Sequence, residues 1–553
     1  MKRPFHLLLT ALLHLAATSV PAQLVPKKVD KALRQVRADD LKAHIQYLAD
    51  DKLRGRKPGT PGYQLAVDYV TAQLRSFGVQ PAGEDGTFTQ RVRLRRATVQ
   101  PGAMVTYQPG GGPLAVAPAE IHLFPHPEQP KAQLPASALA FAGYGISAPD
   151  QGYDDYQNLD VRGKVVVIVR GAPRRFPSTV AAASQDQTLL VQTAARHGAV
   201  GVLFASSRPA PTSTVATPAR PLSTTSVLGS DGRVAASRGF ISGSGVELTG
   251  TLSAAGLHAL LLNAATDTGK VLSSLRQGIP APAALRGTLS ANWQSSYQDI
   301  DSYNVIGQIP GSDPVLRTEY VVHSAHLDHL GVGAPVQGDS IYNGAHDNAS
   351  GVASVLEIAR LYTHLKQKPK RSILLVLQTG EELGLLGSAY FAARPTVPKT
   401  SLVADVNTDM PTIIAPLLSV VPLGAQHSTL AQPVAEAAQH LGLTVEEDPE
   451  PEQNRFIRSD QYSFVAQGIP ALHIKYGNRT ADGKNNLAEQ VQKWRAVTYH
   501  KPQDDSNGTF DYEAGRKYVQ LNFLIGYLVA QNPTRPAWNP DDFFGRRFGR
   551  PQP

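Results

Sequence analysis

Side chains that can bind a metal recur where runs of buried-strand character end. TEYVVHSAH leads into His326-Leu327-Asp328, RSILLVLQT into Gly380-Glu381-Glu382, and SLVADVNTD ends in Asp409. Tyr499 and His500 stand in VTYHKPQDD. Asp347, in HDNASG, precedes Val352, Val355, Leu356, Ala359 and Tyr362, the i, i+3, i+4 stripe of a core-facing helix. Alone, Asp347 reads first as that helix's N-cap, which every helix needs, and only second as a carboxylate ligand. The company it keeps favours the ligand. Zinc accepts imidazole nitrogen and carboxylate oxygen, and two ions ~3.5–4 Å apart need a bridging carboxylate.

On this reading two Zn2+ bind per chain. Asp347 bridges them, with His326 and Asp409 on one ion and Glu382 and His500 on the other. Asp328, two residues from His326 on an extended chain, would share its face and accept the imidazole's second N–H. Glu381 would take the proton of the attacking water as general base, and Tyr499 would stabilise the oxyanion. His323, His329 and His473 also lie near strand ends, but such histidines are more often structural, and they are left outside the set. His346 either lines the pocket or is simply exposed. Asp460 and Tyr462 border the substrate site or form a loop and cap.

The elements that must carry these residues are strands and helices in alternation. From Asn304 onward NVIGQIPG, TEYVVHSAH, RSILLVLQT, SLVADVNTD and PALHIKYG are strand-like with helical segments between, which predicts an α/β fold around a mixed, largely parallel sheet. In such sheets ligands gather beyond the carboxyl ends of the strands. Upstream, 38–77 reads as two helices separated by a surface loop at RGRKPGTPG, followed by short β-like runs from about 90 to 125. Composition shifts between 134 and 285, where KVVVIVRG reads as a buried strand and 206–221 as a Ser/Thr/Pro-rich loop.

These motifs, in the order HLD, AHDNASG, GEELGLLGS, NTDM and YHKPQDD, resemble the dinuclear zinc aminopeptidases of metallopeptidase family twenty-eight. The resemblance extends to LADDKLRGRKPGTPG, NVIGQIPGSDP and RSDQYSF. It implies a three-layer α/β/α sandwich of the zinc exopeptidase type. His326, Asp347, Glu382, Asp409 and His500 match the family's metal positions, Glu381 its base, Asp328 its supporting acid and Tyr499 its oxyanion tyrosine. Residues 134–285, with GYGISAP and NLDVRGKVVVIVRG, resemble an inserted β-rich protease-associated (PA) domain. The expected organisation is thus a signal peptide (1–22), the first part of the peptidase domain (23–133), the insertion (134–285), the catalytic domain (286–532) and a Pro/Gly-rich tail (533–553) that wraps over a surface.

Composition narrows the function. At 553 residues the chain is long enough for more than one domain. MKRPFHLLLTALLHLAATSVPAQ has the charged start, apolar run and small-residue site of a secretory leader, predicting export to the periplasm or beyond. No later run predicts a membrane anchor. The chain has no cysteine, which excludes thiol nucleophiles and thiolate metal sites, and no G-x-S-x-G elbow supports a serine hydrolase. Its net charge of +8 is spread rather than clustered, so no nucleic-acid partner is expected. Peptide or protein N-termini are the expected substrates. The alternatives are a carboxypeptidase, with Arg455 and Arg458 holding a C-terminal carboxylate, and a non-catalytic binding or receptor protein.

Overall fold

The computed structural model of the chain describes residues 25–111, 116–207 and 222–549. The expected leader lies outside these residues, as does most of the 206–221 loop. At the centre stand four parallel strands in the order Ser372–Gln378, Tyr320–His326, Leu402–Asn407 and Ala471–Tyr476. On one flank the end of the strand Ala283–Ile309 runs antiparallel to Ser372–Gln378. On the other, Ser419–Leu423 runs antiparallel to Ala471–Tyr476, with Thr444–Val445 beside it. The sheet is therefore mixed and largely parallel, and its inner strands are buried on both faces.

Side chains alternate between the faces with period two. Val321, Ala325, Ile373, Leu375, Leu377, Ala404, Val406, Leu472 and Ile474 pack on one side with helices Ala38–Leu48, Pro61–Ser76, Ser350–His364 and the 20-residue Tyr512–Gln531. Val322, Leu374, Val376, Leu402 and Ala471 face the opposite layer, where Phe391 and Phe464 lie on helices Leu386–Ala393 and Gln461–Val465. The apolar stripe of Ser350–His364 is fully buried at Val352, Val355, Leu356, Ala359 and Tyr362. Full burial of each larger apolar side chain contributes about 1.5–3 kcal/mol, which is what fixes the helix against the sheet. The result is a three-layer α/β/α arrangement.

A second sheet extends from the first through one unbroken strand. Ala283–Ile309 is 27 residues long. Its first part pairs with Met104–Gln108 and Lys131–Phe141, its middle with Thr89–Val99, and its end with the central sheet. Lys131–Phe141 continues into the parallel strands Val165–Val169, Gly201–Ala205 and Leu248–Leu252, with Ile121–Leu123 antiparallel at the edge. The second sheet thus takes in 104–108 and 121–123, upstream of the expected boundary at 134. The tail does not merely wrap a surface: helix Phe543–Phe548 buries Phe543 and Phe544 in the core cluster.

The break between the first two helices also differs from expectation. RGRKPG is half internal, with Gly55, Arg56 and Pro58 buried, as is the preceding Leu53. Gly55 has φ +67, and a Cβ there would lie 2.2 Å from the Tyr342 carbonyl oxygen. The reason is Arg56. Its guanidinium donates to the carbonyls of Leu327 (3.0 Å), Asn343 (2.6 Å) and Gly344 (3.0 Å) as well as Leu48 (2.5 Å), so the loop plugs the base of the site. Among the described residues no helix is long and apolar enough to cross a membrane.

Candidate metal centre

The ends of the parallel strands bring together the side chains that the sequence spaces far apart. His326, on the last residue of its strand, places Nε2 3.2 Å from Asp347 Oδ1 and 3.4 Å from Asp409 Oδ1. The other oxygen of Asp347 lies 3.2 Å from His500 Nε2, which is 3.3 Å from Glu382 Oε2. His329 Nδ1 lies 2.7 Å from Glu382 Oε1, off the line of a hydrogen bond, so neither atom has a hydrogen-bond partner. Asp347 is common to two groups with metal-binding spacing, one with His326 and Asp409 and one with His329 and Glu382.

Asp347 is not the helix cap. The helix begins at Ser350 with Ala349 at its N-cap position, two residues beyond Asp347. Asn348 does the capping instead. Its Oδ1 accepts from the N–H of Gly351 (3.0 Å) and of Met410 (3.1 Å), and its Nδ2 donates to the Thr408 carbonyl (3.0 Å). One amide thereby joins the Asp347 turn to the Asp409 loop. A Cβ on Gly351 would stand 2.1 Å from that Oδ1, which explains the glycine. Asp504 holds the turn from the other side, accepting from the N–H of His346 (2.9 Å) and Asp347 (3.0 Å).

Asp328 departs from the expected contact. His326 Nδ1 pairs with the backbone carbonyl of Asp328 at 3.1 Å, while the Asp328 carboxylate accepts from the Glu381 N–H at 3.2 Å. The strand ends at His326, so the two-residue alternation that would align the side chains no longer holds. Asp328 thus supports the peptide carrying Glu381. Tyr499 stacks on His500, ring centroids 3.9 Å apart, with the Arg495 guanidinium 4.1 Å from its centroid. Glu381 is half-buried beside Glu382.

Electrostatics follow from burial of like charges. Burial would raise Asp347, but the imidazoles of His326 and His500 outweigh it and hold its carboxyl well below the usual range. Glu381 is pushed up, chiefly by burial and further by the carboxylates of Glu382, Asp409 and Asp460. Asp328 rises to about 7 because it is buried. Lys475 falls to about 7 for the same reason; its ammonium donates to the carbonyls of Asp409 (3.0 Å) and Met410 (2.8 Å). Carboxylates crowded in a buried pocket, with Asp409 Oδ1 and Glu382 Oε1 lacking any hydrogen-bond partner, are the surroundings a divalent cation completes.

Of the histidines outside the expected set, His329 joins the centre. Its signal in the sequence is only HLDH, one loop residue beyond a ligand candidate. His323 instead pairs with the Tyr362 hydroxyl (3.3 Å) and His473 with the Asp409 carbonyl (2.9 Å), both structural roles. His346 is buried, stacked on Phe510 at 4.1 Å with Nε2 on the Thr509 carbonyl (3.1 Å), so it lines no pocket. Asp460 is buried, and Tyr462 is buried beneath the second sheet's side of the molecule. Arg455 is buried and ion-paired with Asp448 and Glu450, leaving Arg458 as the exposed guanidinium of that loop.

The model of Peptidase family M28 matches residues 304–522. Leupeptin-inactivating enzyme 1 of Streptomyces exfoliatus is 28% identical over 243 residues, 42% of this chain and 50% of that protein. Carboxypeptidase Q of Mus musculus is 36% identical over 121 residues, 21% of this chain and 23% of that protein. The chain thus spans half or less of the length of these curated relatives. Among solved structures, an aminopeptidase from Aneurinibacillus sp. strain AM-1 is 19% identical, covering 92% of this chain and 97% of that one with a TM-score of 0.48. Every candidate residue of the centre falls within the matched segment, and residues 304–522 are a peptidase family M28 domain.

Proposed function

We propose that the protein is an exported, zinc-dependent aminopeptidase that removes N-terminal residues from peptides. The observation that carries this reading is the Asp347 carboxylate, held between His326 and His500 and shared by two donor groups. His326, Asp347 and Asp409 would hold one zinc and Asp347 and Glu382 with His500 or His329 a second, and bound zinc would supply Lewis acidity and lower the pKa of water. The chain does the rest. Glu381 takes the proton of the attacking water and delivers it to the leaving amine. Asp328 fixes the Glu381 peptide, Asp504 and Asn348 fix the turn bearing Asp347, and the Tyr499 hydroxyl donates to the oxyanion that develops on the scissile carbonyl. Residues 134–285 are proposed as an inserted PA-type domain.

The test is release of p-nitroaniline from leucine p-nitroanilide by the purified protein, before and after chelation and after zinc is restored. Activity lost with chelator and recovered with zinc is expected; a zinc-replete protein inert on this substrate would overturn the aminopeptidase reading. The exposed Arg458 supports a second reading, a carboxypeptidase, which would cleave an N-blocked dipeptide instead.

A further inference from the structure

Beside the turn that carries Glu381 and Glu382 lies a cavity of about 410 Å3 with walls from two distant parts of the chain. Leu385, Ile457 and Tyr462 form one side, and Leu189, Phe240 and Ile241 the other. Arg238 is in the same lining, and its aliphatic stem lies over Gly384, with Cδ 3.4 Å and Cβ 3.6 Å from the position a Gly384 Cβ would take. Gly384 in turn donates its N–H to the Glu381 carbonyl at 2.8 Å. Arg238 therefore stands one tight turn from the candidate base.

Its guanidinium is exposed, and among the described residues it has no carboxylate within the 4.0 Å of an ion pair. The nearby Asp186 is occupied, capping its own helix through the Leu189 N–H at 2.8 Å. Arg170 is close enough for its positive charge and that of Arg238 to repel each other. A guanidinium that makes no ion pair, in a cavity whose lining mixes apolar side chains with Thr188, Gln192, Ser242 and the helix-capping Asp186, can take an anion, and a carboxylate matches its planar fork. An extended peptide advances at most about 3.3–3.6 Å per residue, so a chain of a few residues spans about the width of a tight turn such as Glu381–Gly384.

We propose that Arg238 binds the C-terminal carboxylate of a short peptide whose scissile bond lies at the metal centre, making the protein selective for oligopeptides of about three residues. The proposal rests on the aminopeptidase reading above. Leu189, Phe240, Ile241 and Leu385 accept the side chains between the scissile bond and the terminus, and the segment 234–242 becomes part of the substrate site.

The test compares kcat/KM for Leu-Gly-Gly, its C-terminal amide and Leu-Gly-Glu amide, with native protein and with Arg238→Gln and Arg238→Lys. The free acid is expected to exceed its amide about tenfold, mainly through KM, as loss of one charge-assisted contact implies. Arg238→Gln should bring the ratio close to one, and Arg238→Lys should restore part of it. A ratio near one in the native protein, or one unchanged in Arg238→Gln, would overturn the proposal. So would a glutamyl amide preferred over the free acid, because the anion bound would then be a side chain. Failure of the native protein to cleave any of the three removes the aminopeptidase reading itself, which is a different result. Arg238 is exposed, and thermal midpoints of the variants show whether any change comes from misfolding.

Discussion

At Asp347 the choice between cap and ligand comes down to where its neighbours send their hydrogen bonds. Asn348 serves the helix and Asp504 serves the Asp347 N–H, so the Asp347 carboxylate is left to the two imidazoles. Asp347→Ala should therefore lose most bound zinc while the helix keeps its cap, seen as metal content by elemental analysis with unchanged far-UV circular dichroism. Two tightly held zinc ions in that variant would remove Asp347 from the centre. Glu381→Gln should behave oppositely, keeping its metal and losing about 10²–10⁴-fold in turnover, the usual worth of a general base. Most of this set is legible in the sequence, because ligands must sit at the ends of apolar runs and those runs are plain in YVVHSAH, SILLVLQ and LVADVN. The support given by Asp328 through the Glu381 N–H is not, since it depends on how the chain turns after its strand ends.

At the scale of elements, two devices hold loops that the pattern of apolar residues cannot fix. Arg56 reaches carbonyls at 48, 327, 343 and 344, a set drawn from three separate segments. Nothing local in RGRKPGTPG reveals this, and Gly and Pro there read as surface. Arg56→Met should leave several buried carbonyls unpaired and destabilise the protein by about 3 kcal/mol or more, measurable as a lower urea midpoint. A shift of less than about 1 kcal/mol would make the plug incidental. In the loop after Lys131–Phe141 Asp155 accepts from the N–H of Tyr144 (3.0 Å) and Ile146 (3.1 Å) and from the Tyr153 hydroxyl (2.8 Å). Burial nonetheless pushes its carboxyl up to about 7. The folded chain then binds more protons than the unfolded one between about pH 4 and 7, so this group's contribution to stability falls as pH rises through that window and is level above it. Asp155→Asn keeps the acceptor for both N–H groups and should flatten that slope; an unaltered profile in urea titrations would locate the pH dependence elsewhere.

Across the whole molecule, the two sheets and the tail are locked at one junction. His427 pairs through Nδ1 with Asp542 of the tail at 2.6 Å and through Nε2 with Thr179 of the second unit at 3.0 Å. Its ring lies edge-on to Phe544 at 4.6 Å. Removing residues 537–553 should expose the apolar seat of Phe543 and Phe544, lower the thermal midpoint by several degrees and increase binding of a hydrophobic dye. A truncated protein with native midpoint and no dye binding would show the tail to be dispensable for stability. The sequence conveys this scale least. Its isolated aromatics read as a surface wrap, and the alternating polar residues of ANWQSSYQDIDSY conceal the strand upstream of NVIGQIPG because one of its faces is wet for much of its length.

That strand also bears on what can enter the site. A swinging gate requires a few residues free to change φ and ψ. Ala283–Ile309 is irregular in its first part, at Gly287 (φ +89), but where it passes from one sheet to the other, from Ser295 to Val305, it is stiffened by an eleven-residue ladder to Thr89–Val99. The two halves are therefore joined by a girder. The two walls of the 410 Å3 cavity are thus held at a fixed separation, and the expected guest is a slim, loose peptide end rather than a compact domain.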